Sequence, residues 1–439
     1  MKDLQSHFNQ QLDNRSGTVT RWVIGLSGGL DSVVLLHLAA RALPADRILV
    51  VNIDHQLQTP SAQWSAFCGR LANTLNLPFR SEKVVVDGSA SLERAARRAR
   101  YQAFENILQS GDCLLLAHHL DDQAETMLFR LLRGAGVRGL AGIPERRSLG
   151  RAELFRPLLS VSRQQLMAWA EAEQLEWIED PSNTDLSYDR NYLRHAVLPL
   201  LQARWPGFSQ RWSDTARYME EAEQLHHDLA EMDSASVSKD GGLCCEALMR
   251  LSQPRRNNLL RFWLRRAGVA VGERQILSII KLIAAADDRQ PIVTLGEVKL
   301  RRYQGVLLLQ PDESVFEWGG RPLTLAGEVT VQGCLVVNSD LDGAGLKSLS
   351  GVTLRNRRDG DRCKPVGRGG SCSLKKVFQE LRVPVWQRSS WPVCVVGDEI
   401  VALPGICICE GWQSEKKGSG FAVNWQPTAL SVRGDSDTL

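Results

Sequence analysis

Ser27-Gly28-Gly29-Leu30-Asp31-Ser32 gathers two hydroxyls, two glycines and a carboxylate in six residues. Small residues let backbone N–H groups approach a phosphate closely, and a helix that opens there adds its dipole to the attraction. The hexapeptide is not a Walker A loop, which ends in Gly-Lys-Ser/Thr. A second group is Ala117-His118-His119-Leu120-Asp121-Asp122-Gln123-Ala124-Glu125-Thr126. If a helix begins near Asp121, Asp122 and Glu125 lie one turn apart on the same face, and His118 faces them from a strand end. Two carboxylates beside a phosphate suit Mg²⁺, which takes oxygen ligands and keeps several waters; a carboxylate can also orient an incoming amine. Asn52-Ile53-Asp54-His55 ends another apolar run, at the position where a doubly wound sheet commonly reads a nucleoside. Backbone groups at Asp54 could hold adenine, with His55 near the phosphates. Farther on, the segment Ile178 to Arg194 sets Arg190 and Arg194 four residues apart, on one helix face, where two guanidiniums suit a phosphodiester or a developing negative charge. The bland counterpart of each motif is a capped turn carrying solvated charges.

The elements that must position these groups are legible in the hydrophobic pattern. Apolar runs at Trp22–Leu26, Ile48–Ile53, Lys83–Val86 and Cys113–Ala117 alternate with helix-length segments at 31–42, 60–76 and 91–109, and a further helix starts near Asp121. Continuous apolar strands separated by helices predict a parallel sheet covered on both faces, in a doubly wound α/β domain. Ligands of such sheets sit beyond the carboxyl ends of the strands, so the loops at 27–32, 54–57, 87–91 and 118–125 should converge. Pro206-Gly207 makes a first boundary. Residues 209–285 are helical in pattern, and after Pro291 short β-type runs appear at Val306–Leu309, Val329–Val331, Cys394–Val396 and Ile400–Ala402. The division expected is a catalytic domain over 1–208, a helical domain over 209–315 and a small, basic, mixed α/β domain over 316–439.

Composition limits the classes. A chain of 439 residues with 43% hydrophobic and 23% charged residues is an ordinary folded protein of two to three domains, not a collagen-like, coiled-coil or disordered one. No apolar run approaches the length of a membrane span, and the start has no signal-like stretch, so a cytoplasmic address without membrane contact is expected. The ten cysteines include no Cys-x-x-Cys; Cys407 and Cys409 could share one strand face, where packing is expected over metal binding. Net charge is only +3, yet residues 355–388 hold ten basic side chains against three acidic, a local net of +7. That segregation predicts a surface for a polyanion such as RNA, with Arg355, Arg357, Arg358, Arg362, Lys364, Lys375 and Lys376 as phosphate ligands. Smaller clusters, at Arg94, Arg97, Arg98 and Arg100 and at Arg130, Arg133, Arg138, Arg146 and Arg147, would bring RNA close to the first domain's loops, with Arg94, Arg97, Arg133 and Arg138 as the contacts.

The Ser27–Ser32 hexapeptide resembles the pyrophosphate-binding loop of the N-type ATP pyrophosphatases, which split ATP into AMP and pyrophosphate while adenylating a carbonyl oxygen. The ordered set SGGLDS, HHLDDQAET, RLLRGAGVRGLAGI, RPLL, EDPSNTDLSYDRNYLRHAVLP, RNRRDGDRCKPVGR and LKKVFQELRVPVWQR closely resembles the bacterial tRNA(Ile)-lysidine synthetase family, over nearly the whole length. Residues 210–315 are the least diagnostic. The resemblance implies ATP and Mg²⁺ as cofactors, and L-lysine and a CAU-anticodon isoleucine tRNA as partners, in a monomer or a homodimer. It further implies that Ser27 to Ser32 hold the leaving pyrophosphate and that Asp31 and Asp122 hold the metal. Asp122 and Glu125 would serve the lysine amine or the metal, and Arg190 or Arg194 the RNA or the intermediate, while the basic terminal domain grips the tRNA body. Three rivals remain. A tRNA thiolase needs a reactive cysteine pair or an iron–sulfur site; a small-molecule amide-forming synthetase has no use for the +7 segment; and retention of every polar motif speaks against an inactive RNA-binding scaffold.

Overall fold

A computed structural model of the chain describes residues 4–13, 19–55, 61–85, 92–285, 292–311, 316–325, 328–330, 333–340, 345–415 and 420–427. Two compact units divide it, one ending at His227 and the other starting at Asp228. Among the described residues no helix is long and apolar enough to cross a membrane.

In the first unit, helix α1 (Leu4–Asp13) precedes strand β1 (Arg21–Gly25), whose central Trp22, Val23 and Ile24 are wholly buried. A strand apolar on successive residues needs cover on both faces. It lies inside a six-stranded sheet of order β3-β2-β1-β4-β6-β5, with β2 (Ile48–Asp54), β3 (Phe79–Lys83), β4 (Asp112–Leu115), β5 (Arg146–Leu149) and β6 (Ala152–Phe155). All neighbours pair in parallel except the β5–β6 hairpin at one edge. Helices α2 (Leu30–Ala42), α3 (Ser61–Thr74), α4 (Leu92–Ile107) and α5 (Leu120–Leu132) follow the parallel strands, and α6 (Val137–Leu140) and α7 (Arg163–Ala172) flank the hairpin. Side chains of a strand alternate between faces: Trp22 and Ile24 pack with Phe8, Val34, Leu35 and Leu166 on one side, Val23 with Val51, Phe104, Leu114 and Leu154 on the other. Each such fully buried large side chain contributes about 1.5–3 kcal/mol. The doubly wound α/β fold is the one the pattern predicts.

Three strands differ from expectation. The third is Phe79–Lys83, not Lys83–Val86; it is an edge strand with half-exposed polar residues, which a search for apolar runs passes over. Val86 lies outside the described residues. The β5–β6 hairpin escapes the same search, because each strand has four residues and an arginine-rich approach.

After α7 come a 3-10 turn (Pro181–Thr184), α8 (Asp189–Tyr192), a π-helical turn (Leu193–Val197), α9 (Leu198–Arg204) and the long α10 (Phe208–Val237). Pro206-Gly207 is the turn between α9 and α10, with Gly207 at φ +75°; the division of units falls later, within α10.

In the second unit α11 (Cys245–Arg250), α12 (Gln253–Arg266) and α13 (Glu273–Ala284) supply the helical segment expected. They also carry a sheet of order β7-β8-β11-β10-β9, made of β7 (Ser238–Lys239), β8 (Gly242–Cys244), β9 (Ile292–Leu295), β10 (Val298–Tyr303) and β11 (Val306–Pro311). The Val306–Leu309 run, within the 209–315 division expected, packs with its helices. Leu295, Leu300 and Leu307 cover the apolar face that α12 and α13 present through Leu259, Leu260, Ile276 and Ile279.

The remainder has its own core around Trp318, Phe378 and Trp391. Its strands are β12 (Arg321–Pro322), β13 (Glu328–Thr330), β14 (Gly333–Asp340), β15 (Thr353–Arg355), β16 (Arg362–Cys363), β17 (Cys372–Ser373), β18 (Val393–Val396), β19 (Glu399–Leu403), β20 (Cys407–Ile408) and β21 (Gly420–Pro427), with helices α14 (Leu374–Glu380) and α15 (Val385–Arg388) between β17 and β18. Cys363, Cys372, Cys394 and Cys409 are buried in that core. Hydrogen bonding with Cys407, outweighing an opposing contact with Cys409, joins burial in pushing the Cys363 thiol up to about 12. A thiol held protonated is a poor nucleophile.

Candidate active site

The phosphate-binding loop forms where β1 hands over to α2. Leu26 N–H donates to Val51 O at 2.9 Å, which holds the strand end in the sheet. Ser27 N–H then donates to Ser32 Oγ at 3.1 Å, the two serine hydroxyls stand 3.0 Å apart, and Ser32 Oγ donates to Gly29 O at 2.9 Å. Gly28 sits at φ +88°, a left-handed conformation that glycine adopts without penalty. A Cβ there would approach Cys68 Sγ and Ile178 Cδ1 to 3.3 Å. Ile178 N–H donates to Gly28 O at 2.9 Å, so the segment that leads into the Arg190–Arg194 motif also pins this loop. The N-cap of α2 is Gly29, which offers no side-chain acceptor; an anion can therefore take the orphan N–H groups of the first turn.

The acidic motif meets this loop through His119. As N-cap of α5, His119 donates its backbone N–H to Asp122 Oδ2 at 3.0 Å. Its ring is 1% exposed and stands among three carboxylates: Nε2 is 3.6 Å from Asp31 and 3.6 Å from Asp122, and Nδ1 is 3.7 Å from Asp121. Burial opposes the charge on the ring, but Asp122, Asp31 and Asp121 outweigh it and push His119 up to about 9. A neutral ring could accept Asp122 N–H at Nδ1 over 3.4 Å. The two arrangements exclude each other, and the three carboxylates favour the protonated ring over one long bond. Burial pushes Asp31 up, yet His119, Arg163 and Arg194 hold it below the usual carboxylate range.

Asp122 and Glu125 share one face of α5, as their spacing predicts, and Arg194 joins them. Its Nε and Nη2 donate to the two oxygens of Glu125 at 2.5 and 2.9 Å, and Nη2 also reaches Asp122 Oδ1 at 3.2 Å. Glu125 is 4% exposed; burial holds its carboxyl above the ordinary range, and Arg194 opposes the shift.

Asp31 Oδ1 is buried with no hydrogen-bond partner. Among the described residues no three His, Cys, Asp or Glu side chains are grouped to hold a metal ion, but Mg²⁺ needs only one or two carboxylates beside phosphate oxygens and water. An orphaned Asp31 oxygen next to Asp122 fits such an ion.

Several expectations change. His118, expected to face Asp122 and Glu125, accepts a hydrogen bond from Arg156 Nε at 3.2 Å instead, and burial together with Arg156, Arg100 and Arg97 holds it well below its usual range. The adjacent His119 occupies the acid cluster, and its backbone N–H donates to the Asp122 side chain three residues on. Arg190 and Arg194 meet different groups. Arg194 holds Glu125, while Arg190 bears electrostatically on Arg97 and Arg130. Asp54 is buried and its carbonyl accepts Val84 N–H at 2.9 Å. His55 lies beside Arg100, which with burial lowers its proton affinity against the pull of Asp54. Loop residues 56–57 and 87–91 and the Arg94 side chain lie outside the described residues. Arg133 stacks on Phe129 at 4.9 Å, and Arg138 bears on Arg130.

In the second unit the basic segment is partly neutralised from within. Arg355, expected as a phosphate ligand, is bidentate to Asp361 at 2.8 Å with both side chains mostly buried. Arg357 pairs with Asp359, Arg358 with Asp398, Lys364 with Glu410 and Arg368 with Glu380, and Arg362 donates to Ser371. Lys375 and Lys376 are exposed on α14, and Lys376 bears electrostatically on Glu380.

A parallel sheet that presents a Ser-Gly-Gly loop and a carboxylate cluster at its carboxyl edge defines a nucleotide-handling domain, and residues 2–201 match the family model of the PP-loop domain. Residues 243–308 match the TilS substrate binding domain and 352–425 the TilS substrate C-terminal domain. Among curated proteins, the tRNA(Ile)-lysidine synthase of Coxiella burnetii is 37% identical over 93% of this chain and 94% of its own. That of Pseudomonas aeruginosa is 38% identical over 92% and 93%. The chain belongs to the tRNA(Ile)-lysidine synthase family.

Proposed function

We propose that this chain converts the wobble cytidine of a CAU-anticodon isoleucine tRNA to lysidine. The cytosine C2 oxygen attacks the α-phosphorus of ATP and pyrophosphate leaves; the lysine ε-amine then attacks C2, loses a proton, and AMP leaves. Adenylation is needed because a carbonyl oxygen leaves poorly and AMP leaves well. The observation that carries the reading is the contiguous cluster Asp31–His119–Asp122–Arg194–Glu125, set against the Ser27–Ser32 loop in a chain of this family.

In this reading Ser27, Gly28, Gly29, Leu30 and Ser32 cradle the leaving pyrophosphate, with Asp54, His55 and His118 on the nucleotide side. Mg²⁺ supplies charge compensation for the phosphates when bound, and Asp31 and Asp122 are the residues that would hold it. Glu125, with Asp122, receives the lysine ammonium and takes up its proton, and Arg194 keeps both carboxylates oriented. Arg190 with Arg97 serves the RNA. We assign 1–208 to the catalytic domain, 209–315 to a tRNA-contacting domain and 316–439 to a tRNA-gripping domain, acting in the cytosol. A thiolase reading is disfavoured by the cysteine nearest the loop: Cys68 is buried, and its thiol is pushed up to about 12.

The test combines the protein with Mg²⁺-ATP, radiolabelled lysine and an unmodified CAU isoleucine tRNA transcript, beside a transcript with uridine at the wobble position. Label on the first RNA alone, with AMP released, supports the reading; AMP without label sinks the lysine half. For the terminal domain, the double substitution Lys375→Ala/Lys376→Ala is expected to weaken tRNA binding and lower the salt slope of log K by about two, one per phosphate contact. Arg355→Ala is expected to lower the melting temperature with a smaller change of slope. Filter binding between 50 and 200 mM salt separates the two outcomes.

A further inference from the structure

Several arginines of the first unit converge on one phenol. The guanidinium carbons of Arg97, Arg100 and Arg147 stand 5.0, 5.7 and 4.8 Å from the centroid of the Tyr101 ring. Arg97 Nη2 and Arg156 Nη2 each donate to its hydroxyl at 3.4 Å. Tyr101 is 8% exposed and Arg156 2%. Guanidiniums stay protonated in proteins, so like charges crowd into a largely dry place. Burial opposes the charge on Arg97 and Arg156, the Tyr101 phenol favours it, and neighbouring guanidiniums oppose it again. Burial pushes the phenol up, but Arg97, Arg156 and Arg100 overcome that and draw it down to about 8.

Two further atoms are unsatisfied: Arg100 Nε and His55 Nδ1 are buried without a hydrogen-bond partner. A neutral or half-ionised phenol is a poor counter-ion for several guanidiniums. A phosphate oxyanion brings full charge and several acceptor oxygens to the same donors. The cluster adjoins the reacting groups along the chain: Arg156 holds His118, whose neighbour His119 stands among the carboxylates, and Arg190, which bears on Arg97, precedes Arg194 by four residues.

We propose that Tyr101 is a positioning residue, holding Arg97, Arg100 and Arg156 as a nest for a substrate phosphate oxyanion and occupying one Nη2 donor each of Arg97 and Arg156 until it arrives. The proposal rests on the lysidine-forming reading and adds a second phosphate position, separate from the Ser27–Ser32 loop. The oxyanion comes either from the RNA backbone or from ATP, and the kinetics tell which.

Tyr101→Leu removes ring and hydroxyl, and Tyr101→Phe the hydroxyl alone. With the full chain, Mg²⁺-ATP, lysine and transcript, Tyr101→Leu is expected to raise KM for the transcript about tenfold, equal to ~1.4 kcal/mol. Its KM for ATP should stay within about twofold of wild type and its melting temperature within a few degrees; Tyr101→Phe should fall between, at about threefold. A rise in KM for ATP instead keeps the nest and assigns the oxyanion to the nucleotide. Unchanged KM for both substrates in a folded Tyr101→Leu protein overturns the proposal, as does a loss confined to kcat. If Tyr101→Leu does not fold, Tyr101→Phe decides alone by the same criteria. If the wild type incorporates no lysine, the lysidine reading falls first, and equilibrium binding of transcript and ATP then judges the nest: weakened binding in the variants upholds it and equal binding overturns it.

Discussion

Arg194→Met is expected to lower lysine incorporation at least a hundredfold, about 2.7 kcal/mol of barrier, and to destabilise the first unit. Arg194 makes the bidentate contact to Glu125 and also reaches Asp122. Methionine fills the space and returns no charge, so a carboxylate 4% exposed is left without its partner. Breaking a buried pair by removing one member costs about 3–5 kcal/mol, and the partial exposure of Arg194 places this case near the lower figure. The cost should depend on pH in a definite direction. Burial already raises the Glu125 carboxyl above its unfolded value, and removing Arg194 raises it further. An acid with a raised folded pKa contributes full stability below its unfolded value and loses it as pH climbs through the folded one. The melting-temperature gap between variant and wild type should therefore be wide at pH 8 and narrow at pH 5. An equal gap at both would show that Glu125 does not carry the charge lost.

Asp31→Asn should leave the fold nearly intact and lower AMP release by about a hundredfold or more, again ~2.7 kcal/mol. The amide keeps the shape of the side chain but cannot pair with the His119 imidazolium or serve a cation through the unpartnered oxygen. Transcript binding in the absence of ATP should change less than about twofold, since Asp31 stands at the phosphate loop. AMP release with cognate transcript, at saturating and at tenfold lower Mg²⁺, is the measurement; a rate within a factor of three of wild type would remove Asp31 from the nucleotide chemistry.

The parallel sheet and the phosphate loop were legible because their signals are local. β1, β2 and β4 are apolar on consecutive residues, and the Ser27–Ser32 glycines sit where a strand ends and a helix begins. The edge strand β3 and the β5–β6 hairpin were not legible, since their stability comes from pairing with neighbours and not from their own apolarity. At the site, the face shared by Asp122 and Glu125 followed from helical spacing. What spacing could not say is which of two adjacent histidines turns inward, because that is decided by the N-cap of α5. Nor could it say that Arg194 meets Glu125 while Arg190 bears on Arg97, because those partners lie far away in the chain. In the terminal domain a count of charge overstated the free cations: Arg355 and Asp361 are near in sequence, but their bidentate bond exists only once β15 is folded.

The π-helical turn has a consequence for changes of chain length. Five residues, Leu193–Val197, are wound more widely than the helices on either side, and Arg194 meets Glu125 from within them. An α-helix advances about 100° per residue. Deleting one residue there and letting the segment relax to α-helix would keep every side chain of the motif and still rotate the guanidinium off its carboxylate. Point substitutions will be tolerated here unevenly, by chemistry, whereas insertions and deletions will be refused almost uniformly, by phase.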